Sequence, residues 1–254
     1  MDMTMESCRK FVEVLASDAP APGGGRAAAF CGAQGAGLAA MVASFTVGRK
    51  KFAEYEANAI VVRDAELDLV EKLTVQIDKD TEAFNLVAAA FKMPKATDEE
   101  KAARSKAIQA GTLVSTEVPF ETMELALDAL RVAEKLLQGF NDGAASDLGV
   151  AGWNLLTCVK GAWLNVCINI GSLKDTEKAE SFRTRGQAIL AEAEQIVANG
   201  VKYYVEVSNM PTTNEAVAYR KKNGVIVAPS KAVNAGGVAV SGLEMSQTSM
   251  RYSW

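Results

Sequence analysis

The sequence has no histidine among its 254 residues, and this absence excludes several kinds of enzyme at once. A Ser-His-Asp or Cys-His nucleophile, a histidine general base and an HExxH zinc helix all need an imidazole ring. Acid–base chemistry in this chain must therefore come from Asp, Glu, Lys, Tyr, Cys or backbone groups.

Cysteine is scarce and widely spaced, with no CxxC pair; the four are Cys8, Cys31, Cys158 and Cys167. This spacing favours neither a disulfide framework nor a metal site. We therefore expect free thiols in the reducing cytoplasm and no bound metal. Residues 1–15 have no basic segment before their apolar residues, which argues against a signal peptide.

Positive charge is not in excess, since 27 Lys and Arg stand against 31 Asp and Glu, and we expect no nucleic-acid partner. The longest uncharged run, residues 27–47, is about long enough to span a bilayer. It is mostly Ala, Gly and Ser, with a single Leu and an internal Gln34. This composition favours a buried, closely packed helix, so we expect no membrane partner.

Periodicity predicts a mainly all-α fold, an antiparallel helical bundle with a small C-terminal α/β appendix. The predicted helices cover residues 5–16, 26–46, 55–92, a region from 98 onward, 146–172 and 175–198. Pro119 predicts a kink or a restart within the fourth region.

The character of the chain changes near residues 195–200. Segments 201–207 and 224–228 have strand composition, and 214–222 has that of a short helix. Residues 196–254 hold six of the 27 basic residues but only three of the 31 acidic ones. These shifts predict two domains, residues 1–198 and 199–254.

The third predicted helix carries a stripe at 3-4-3-4 spacing, which lies on one face of a helix. The stripe consists of Val70, Leu73, Ile77, Asp80, Phe84, Val87 and Phe91. A lone carboxylate among apolar residues needs a partner, water or a proton. Asp80 is therefore either a structural ion pair or bundle-edge residue, or a general acid/base with a tuned pKa.

A second stripe on the fifth helix combines Asp and Asn with small residues. It consists of Asp147, Ala151, Asn154, Cys158, Ala162, Asn165 and Asn169. Such a face suits a pocket wall that hydrogen-bonds a polar, planar ligand. The alternative is an ordinary wet or interhelical polar face.

Two further features point to anion binding. Gly23, Gly24 and Gly25 precede the Ala-rich helix, where free backbone N–H groups could approach a ligand closely. Lys50 and Lys51 follow that helix and could bind a substrate carboxylate. A plain loop and simple charge complementarity at a helix end explain these features as well.

Several motifs in order make residues 6–200 resemble the cyclodeaminase/cyclohydrolase family of folate enzymes. This family includes the cyclodeaminase half of formiminotransferase-cyclodeaminase and methenyltetrahydrofolate cyclohydrolase. The motifs are residues 21–25, 41–52, 80–84, 94–95, 118–121, 146–150 and 164–169. The sequence departs from the pattern at Arg26, where a small residue is usual.

The resemblance implies a homodimer or larger homo-oligomer acting on a tetrahydrofolate derivative, with no cofactor beyond that substrate. It implies either cyclisation of formimino-tetrahydrofolate with loss of ammonia, or opening of the methenyl form by water. On this hypothesis Asp80 and Asp147 are the catalytic carboxylates. Further, Asn165 and Asn169 bind the pterin, and Lys50 and Lys51 bind the glutamate carboxylates.

The tail resembles a fragment of glutamate dehydrogenase, over residues 199–216 and 228–254. The catalytic Lys and Asp of that family and its glycine fingerprint have no counterpart here, so we expect no dehydrogenase activity. A strand segment cut from a larger sheet lacks its partners, so we expect the tail to be loosely packed, paired with itself in a dimer, or poorly ordered. Two other functions stay open: a non-catalytic folate-binding protein, and a nucleotide- or glutamate-binding remnant in the tail.

Overall fold

The structure is a computed structural model, and it describes residues 6–19, 21–200, 203–205, 222 and 226–228. Its six α-helices are α1 (Cys8–Leu15), α2 (Gly24–Thr46), α3 (Glu56–Phe91), α4 (Asp98–Glu134), α5 (Ala145–Ile170) and α6 (Thr176–Gly200). Short 3-10 turns at Lys50–Tyr55, Lys135–Gln138 and Asp142–Ala144 join them. The predicted all-α bundle is confirmed.

The bundle is antiparallel, and α2 packs between α3 and α5. Two glycines of α2, Gly32 and Gly35, face the neighbouring helices without room for a side chain. A Cβ on Gly32 would lie 2.7 Å from Cys158 Sγ, and one on Gly35 would lie 2.9 Å from the Ala151 carbonyl oxygen. Small residues thus let the α2 and α5 backbones approach closely, because a larger side chain would have to displace the partner helix.

The uncharged run is a core helix. In the described part of the chain, α2 is the one helix long and apolar enough to cross a membrane by length and composition. Over half of its apolar window is buried inside the bundle. Both of its ends lie beside residues that the sequence predicts to be functional.

Pro119 does not divide α4, which runs without interruption from Asp98 to Glu134. Proline has no N–H to donate, so the carbonyl group four residues earlier, on Ser115, loses its helical partner. Asn169 on α5 replaces that partner, since its Nδ2 donates to the Ser115 carbonyl oxygen at 2.6 Å. The predicted restart is therefore wrong, because a neighbouring side chain satisfies the broken backbone pattern.

The residues beyond the bundle form a second compact unit, 199–254, separate from the unit 1–198. Two parallel strands, β1 (Tyr203–Val205) and β2 (Ile226–Ala228), lie within the segments predicted as strands. The predicted helix at 214–222 and the expectation about packing of the tail concern residues that are almost all outside the described part.

Candidate functional site

Asp80 lies directly against the start of α2. A Cβ on Gly25 would be 2.6 Å from Asp80 Cγ, so only glycine leaves room for the carboxylate there. Gly25 is the second residue of α2, whose first N–H groups have no partner within the helix. The predicted glycine segment and the predicted carboxylate therefore meet at one place.

The carboxylate of Asp80 serves as a cap for α2 from a neighbouring helix. Gly23 occupies the N-cap position and has no side chain to accept from the helix. The backbone N–H of Arg26 donates to Asp80 instead. Such N–H groups are the donors that cap residues satisfy, and the positive end of the helix favours an anion.

Opposing effects set the proton affinity of Asp80. Burial raises the pKa of its carboxyl above the ordinary value, while the positive charge of Arg26 and the Arg26 backbone N–H lower it. Burial is the largest of these effects. The result is a half-buried carboxyl group with an elevated pKa, as a proton-transfer group near neutral pH requires.

The surroundings of the α3 stripe change at Asp80. Leu73 and Ile77, before it, are fully buried, whereas Phe84 and Phe91, after it, are exposed. The change occurs where α2 begins, at the level of Asp80; beyond it Val87 packs against Gly111 of α4, and the two phenylalanines remain exposed. Asp80 therefore occupies the border between the core and an open face.

Arg26 is a site residue that the sequence reasoning missed. Its side chain is only 3% exposed, and Nη2 lies 2.8 Å from Oδ1 of Asp78 on α3. The departure from the family pattern thus places a buried cation one residue from Gly25. The signal in the sequence was a lone arginine at the start of an otherwise uncharged helix.

The two predicted asparagines of α5, Asn165 and Asn169, lie at the same end of the bundle as Gly25 and Asp80. Asn165 lies beside Gly24, where a Cβ would be 3.5 Å from its Nδ2, and that Nδ2 donates to the Gly161 carbonyl oxygen. Asn169 is bound to Ser115, as described above. We call this group the glycine end; it consists of Gly24, Gly25, Asp80, Asn165 and Asn169.

The remaining predicted site residues lie elsewhere in the chain. Lys50 and Lys51 follow the other terminus of α2, whose 23 residues span about 33 Å. Lys51 is exposed and pairs with Asp142 at 3.1 Å. We call Lys50, Lys51 and Asp147 the lysine end.

Asp147 does not lie near Asp80 within one chain. It lies one helical turn before Ala151, whose carbonyl group faces Gly35. Gly35 is ten residues along α2 from Gly25, so Asp147 and Asp80 are about 20 Å apart. The structure thus assembles one of the two predicted carboxylates with the glycines and amides.

The polar stripe of α5 is not one continuous pocket wall. Three of its middle residues, Ala151, Cys158 and Ala162, are fully buried, whereas Asn154 is half-buried; Cys158 faces Gly32 of α2. The interhelical alternative therefore describes the middle of the stripe. Its polar ends fall at the two ends of the bundle.

Glu66 is a second unpredicted charged residue, fully buried in α3. Neither of its carboxyl oxygens has a hydrogen-bond partner among the described residues. Burial raises its pKa to about 9, so this group is a neutral acid at pH 7. It extends the α3 stripe by one step, because it lies four residues before Val70.

Within the described residues, no three Cys, Asp or Glu side chains cluster closely enough to hold a metal ion.

Comparison with known proteins matches the two ends of the chain to two different families. The profile of glutamate/leucine/phenylalanine/valine dehydrogenases matches residues 184–254. NAD-specific glutamate dehydrogenase from Clostridium symbiosum is 61% identical over 72 residues, which cover 28% of this chain and 16% of that enzyme. This likeness reaches only a small part of a dehydrogenase.

The bundle has relatives that match over most of its length. Methenyltetrahydrofolate cyclohydrolase from Methylorubrum extorquens is 40% identical over 74% of this chain and 90% of that protein. Formimidoyltransferase-cyclodeaminase from Rattus norvegicus is 35% identical, although the matched region spans only 35% of the rat enzyme.

A solved structure shares the fold. Formiminotetrahydrofolate cyclodeaminase from Thermotoga maritima superposes with a TM-score of 0.64 at 28% identity, covering 77% of this chain and 92% of that one. The profile of formiminotransferase-cyclodeaminase matches residues 7–188. The chain therefore belongs to the formiminotransferase-cyclodeaminase family.

Proposed function

We propose that this protein is a folate one-carbon enzyme that acts at the carbon between N5 and N10 of tetrahydrofolate. The observation that carries the proposal is Asp80, a half-buried carboxyl group held at the N-terminus of α2 by Gly25 and Arg26. The cyclohydrolase and cyclodeaminase relatives support the substrate class.

The chemistry suits one carboxylate of elevated pKa. In the cyclohydrolase reaction, water adds to the cationic methenyl carbon while Asp80 accepts a proton from that water. The C–N5 bond of the tetrahedral carbon then breaks as the hydroxyl group releases its proton to solvent and becomes the formyl oxygen. N5 takes the proton held by Asp80, which restores the carboxylate, and 10-formyltetrahydrofolate results. A carboxylate beside the cationic carbon also stabilises it electrostatically before water adds.

The cyclodeaminase reaction uses the same groups. N10 of formimino-tetrahydrofolate attacks the formimino carbon and gives up a proton to Asp80. The resulting tetrahedral carbon then expels its exocyclic nitrogen as ammonia, which carries the proton away, and the methenyl bridge remains. Of the two reactions, we expect hydrolysis to be faster here, because the cyclohydrolase relative is 40% identical over 90% of its own length.

We further propose that the enzyme is a cytoplasmic homodimer or larger homo-oligomer and that its tail has no dehydrogenase activity. A dimer would also allow Asp147 of one protomer to approach the glycine end of its partner. Gel filtration with light scattering measures the oligomer directly.

The proposed function is tested by parallel assays with formimino- and methenyl-tetrahydrofolate, followed by the absorbance of the methenyl group. We expect loss of that absorbance with the methenyl substrate, faster than its appearance from the formimino substrate. Binding of folate without a change in either assay would instead support the non-catalytic alternative. Reduction of NAD with glutamate would contradict the absence of dehydrogenase activity.

A further inference from the structure

Arg26 connects the start of α2 to two acidic residues of α3. Its backbone N–H donates to Asp80, while its side chain reaches Asp78, where Nη2 lies 2.8 Å from Oδ1. One residue of α2 therefore contacts two acids that are two positions apart on α3. These contacts hold Arg26 both at its main chain and at its guanidinium group.

The side chain of Arg26 is enclosed by the protein. It is 3% exposed, whereas the side chain of Asp78 is 26% exposed. Arg26 is also the one charged residue of α2. Burying a charge is costly, and the ion pair with Asp78 offsets part of that cost. A side chain so well covered does not touch a substrate, so any effect of Arg26 on the reaction acts through a neighbouring group.

The neighbouring group on which Arg26 acts is the carboxyl group of Asp80. A positive charge close to a carboxyl group stabilises its ionised form, and a buried charge is screened less than an exposed one. The charge and the backbone N–H of Arg26 both lower the pKa of Asp80, against the larger effect of burial. Arg26 thus contacts the Asp80 carboxylate directly and also supplies the positive charge beside it.

The other charged groups on the elements around Asp80 are paired or exposed. Lys79 of α3 pairs with Glu121 of α4 at 3.2 Å. From α5, the amide groups of Asn165 and Asn169 lie at this end of the bundle. Further charged residues of α1, α3 and α4 are exposed to solvent: Arg9, Lys10, Glu13, Glu82 and Glu117. The buried charge beside Asp80 is therefore that of Arg26.

We propose that Arg26 and Asp78 are positioning residues, whose ion pair holds a buried positive charge beside Asp80 and sets the pH range in which Asp80 serves as a base. This inference rests on the proposed function, in which Asp80 accepts a proton from water or from N10. Arg26 extends the range toward lower pH, because its charge favours the carboxylate. Asp78 limits that extension, because its negative charge offsets part of the charge of Arg26.

The test breaks the same ion pair from its two sides in the full-length protein. Arg26→Met removes the positive charge and keeps a long side chain. Asp78→Asn removes the negative charge and leaves Arg26 in place. Arg26→Lys is the conservative variant, because it keeps the positive charge. Arg131→Met is the matched control, because it breaks the ion pair of Arg131 with Glu192 between α4 and α6.

The first measurement is the pH dependence of kcat/KM with methenyl-tetrahydrofolate, whose acidic limb reports the ionisation of the base. We expect Arg26→Met to move this limb to higher pH by about one unit or more, and Asp78→Asn to move it to lower pH. Arg26→Lys and Arg131→Met should keep the limb near its wild-type position. A purely structural ion pair would give no shift, or a shift in the same direction for Arg26→Met and Asp78→Asn, and either result would overturn the proposal.

Carbon-13 NMR titration of the Asp80 carboxyl group, without substrate, separates this inference from the proposed function. The resonance is identified by its absence from Asp80→Asn. Opposite shifts of the titration in Arg26→Met and Asp78→Asn, together with no folate turnover by the wild type, would refute the enzyme proposal and support the role of the ion pair. An unchanged titration in both variants would refute that role.

Thermal unfolding checks that each variant is folded. If Arg26→Met does not fold, Asp78→Asn and Arg26→Lys decide the question by themselves. A shift of the Asp80 titration to lower pH in Asp78→Asn, with none in Arg26→Lys, supports the proposal. No shift in Asp78→Asn, or a shift to higher pH, overturns it.

Discussion

Two carboxyl groups of α3 are shielded from water in different ways. Asp80, at the glycine end, is half-buried and faces an N–H group and the charge of Arg26. Glu66, in the middle of the bundle, is fully buried and has no hydrogen-bond partner among the described residues. Burial raises the pKa of both groups, but only Asp80 has positive groups that oppose the effect.

The difference shows why burial alone does not make a catalytic acid. Glu66 keeps its proton at neutral pH and lies where no substrate can reach it. The charge and N–H of Arg26 keep the ionised form of Asp80 accessible, and the carboxyl group lies where the α2 cover ends. A useful acid/base needs both a shifted pKa and a route to the substrate.

The largest expected effect comes from Asp80→Asn. We expect a loss of about 10²-fold or more in kcat, as for the removal of a general acid/base. Stability should change little, because asparagine also accepts the Arg26 N–H as a cap. Asp80→Ala should lose the same activity and also lower the free energy of unfolding by about 1 kcal/mol.

Asp147→Asn provides the comparison from the other end of the bundle. We expect a loss below about tenfold, because Asp147 does not reach the glycine end within its own chain. An equal loss in both variants would restore Asp147 to the site and would favour its supply by a second protomer. Wild-type turnover by Asp80→Asn would remove Asp80 from the mechanism.

An effect between those of Asp80→Asn and Asp147→Asn is expected from Gly25→Ala. The new Cβ would overlap the Asp80 carboxyl group and displace it, so we expect kcat/KM to fall about 10- to 100-fold. Gly37→Ala, on the same helix, is the matched control, because its Cβ has no neighbour nearer than 3.9 Å. The control should keep full activity and gain up to about 1 kcal/mol of stability. Equal activity in the two variants would contradict the close packing at Gly25.

Much of this arrangement could be predicted from the sequence. The helix pattern predicted the bundle, and one acid in an apolar stripe pointed to Asp80. Glu66 fits the same stripe one step earlier, but its neighbours in the sequence did not indicate that it is buried. Arg63, Asp64 and Asp68 give that part of α3 the composition of a solvent-exposed face.

Spacing along the chain could not predict which ends of the helices coincide. Lys50 and Lys51 follow the same helix that Gly25 begins, but the length of α2 separates them. The role of Asn169, on α5, depends on the Ser115 carbonyl group of α4. That carbonyl group lacks a helical partner only because Pro119 lies four residues later on α4. Such relations depend on the register between helices, which a stripe pattern leaves undetermined.

The smallest effect on activity, and the clearest on stability, is expected from Glu66→Gln. The pKa of Glu66 is raised to about 9 in the folded protein from an ordinary 4.5. Between these values the unfolded chain loses this proton and the folded chain keeps it. The contribution of Glu66 to stability is therefore full at low pH and is lost as the pH rises, by up to about 1.4 kcal/mol per pH unit.

Glutamine does not ionise, so the free energy of unfolding of Glu66→Gln should lack this slope. In urea unfolding at successive pH values from 5 to 8, the free energy of unfolding of the variant should increase at each step relative to that of the wild type. Turnover should stay the same. Glu71→Gln, at an exposed position of the same helix, should run parallel to the wild type. If Glu66→Gln also runs parallel, Glu66 has an ionised partner or water in the core, and the contrast with Asp80 disappears.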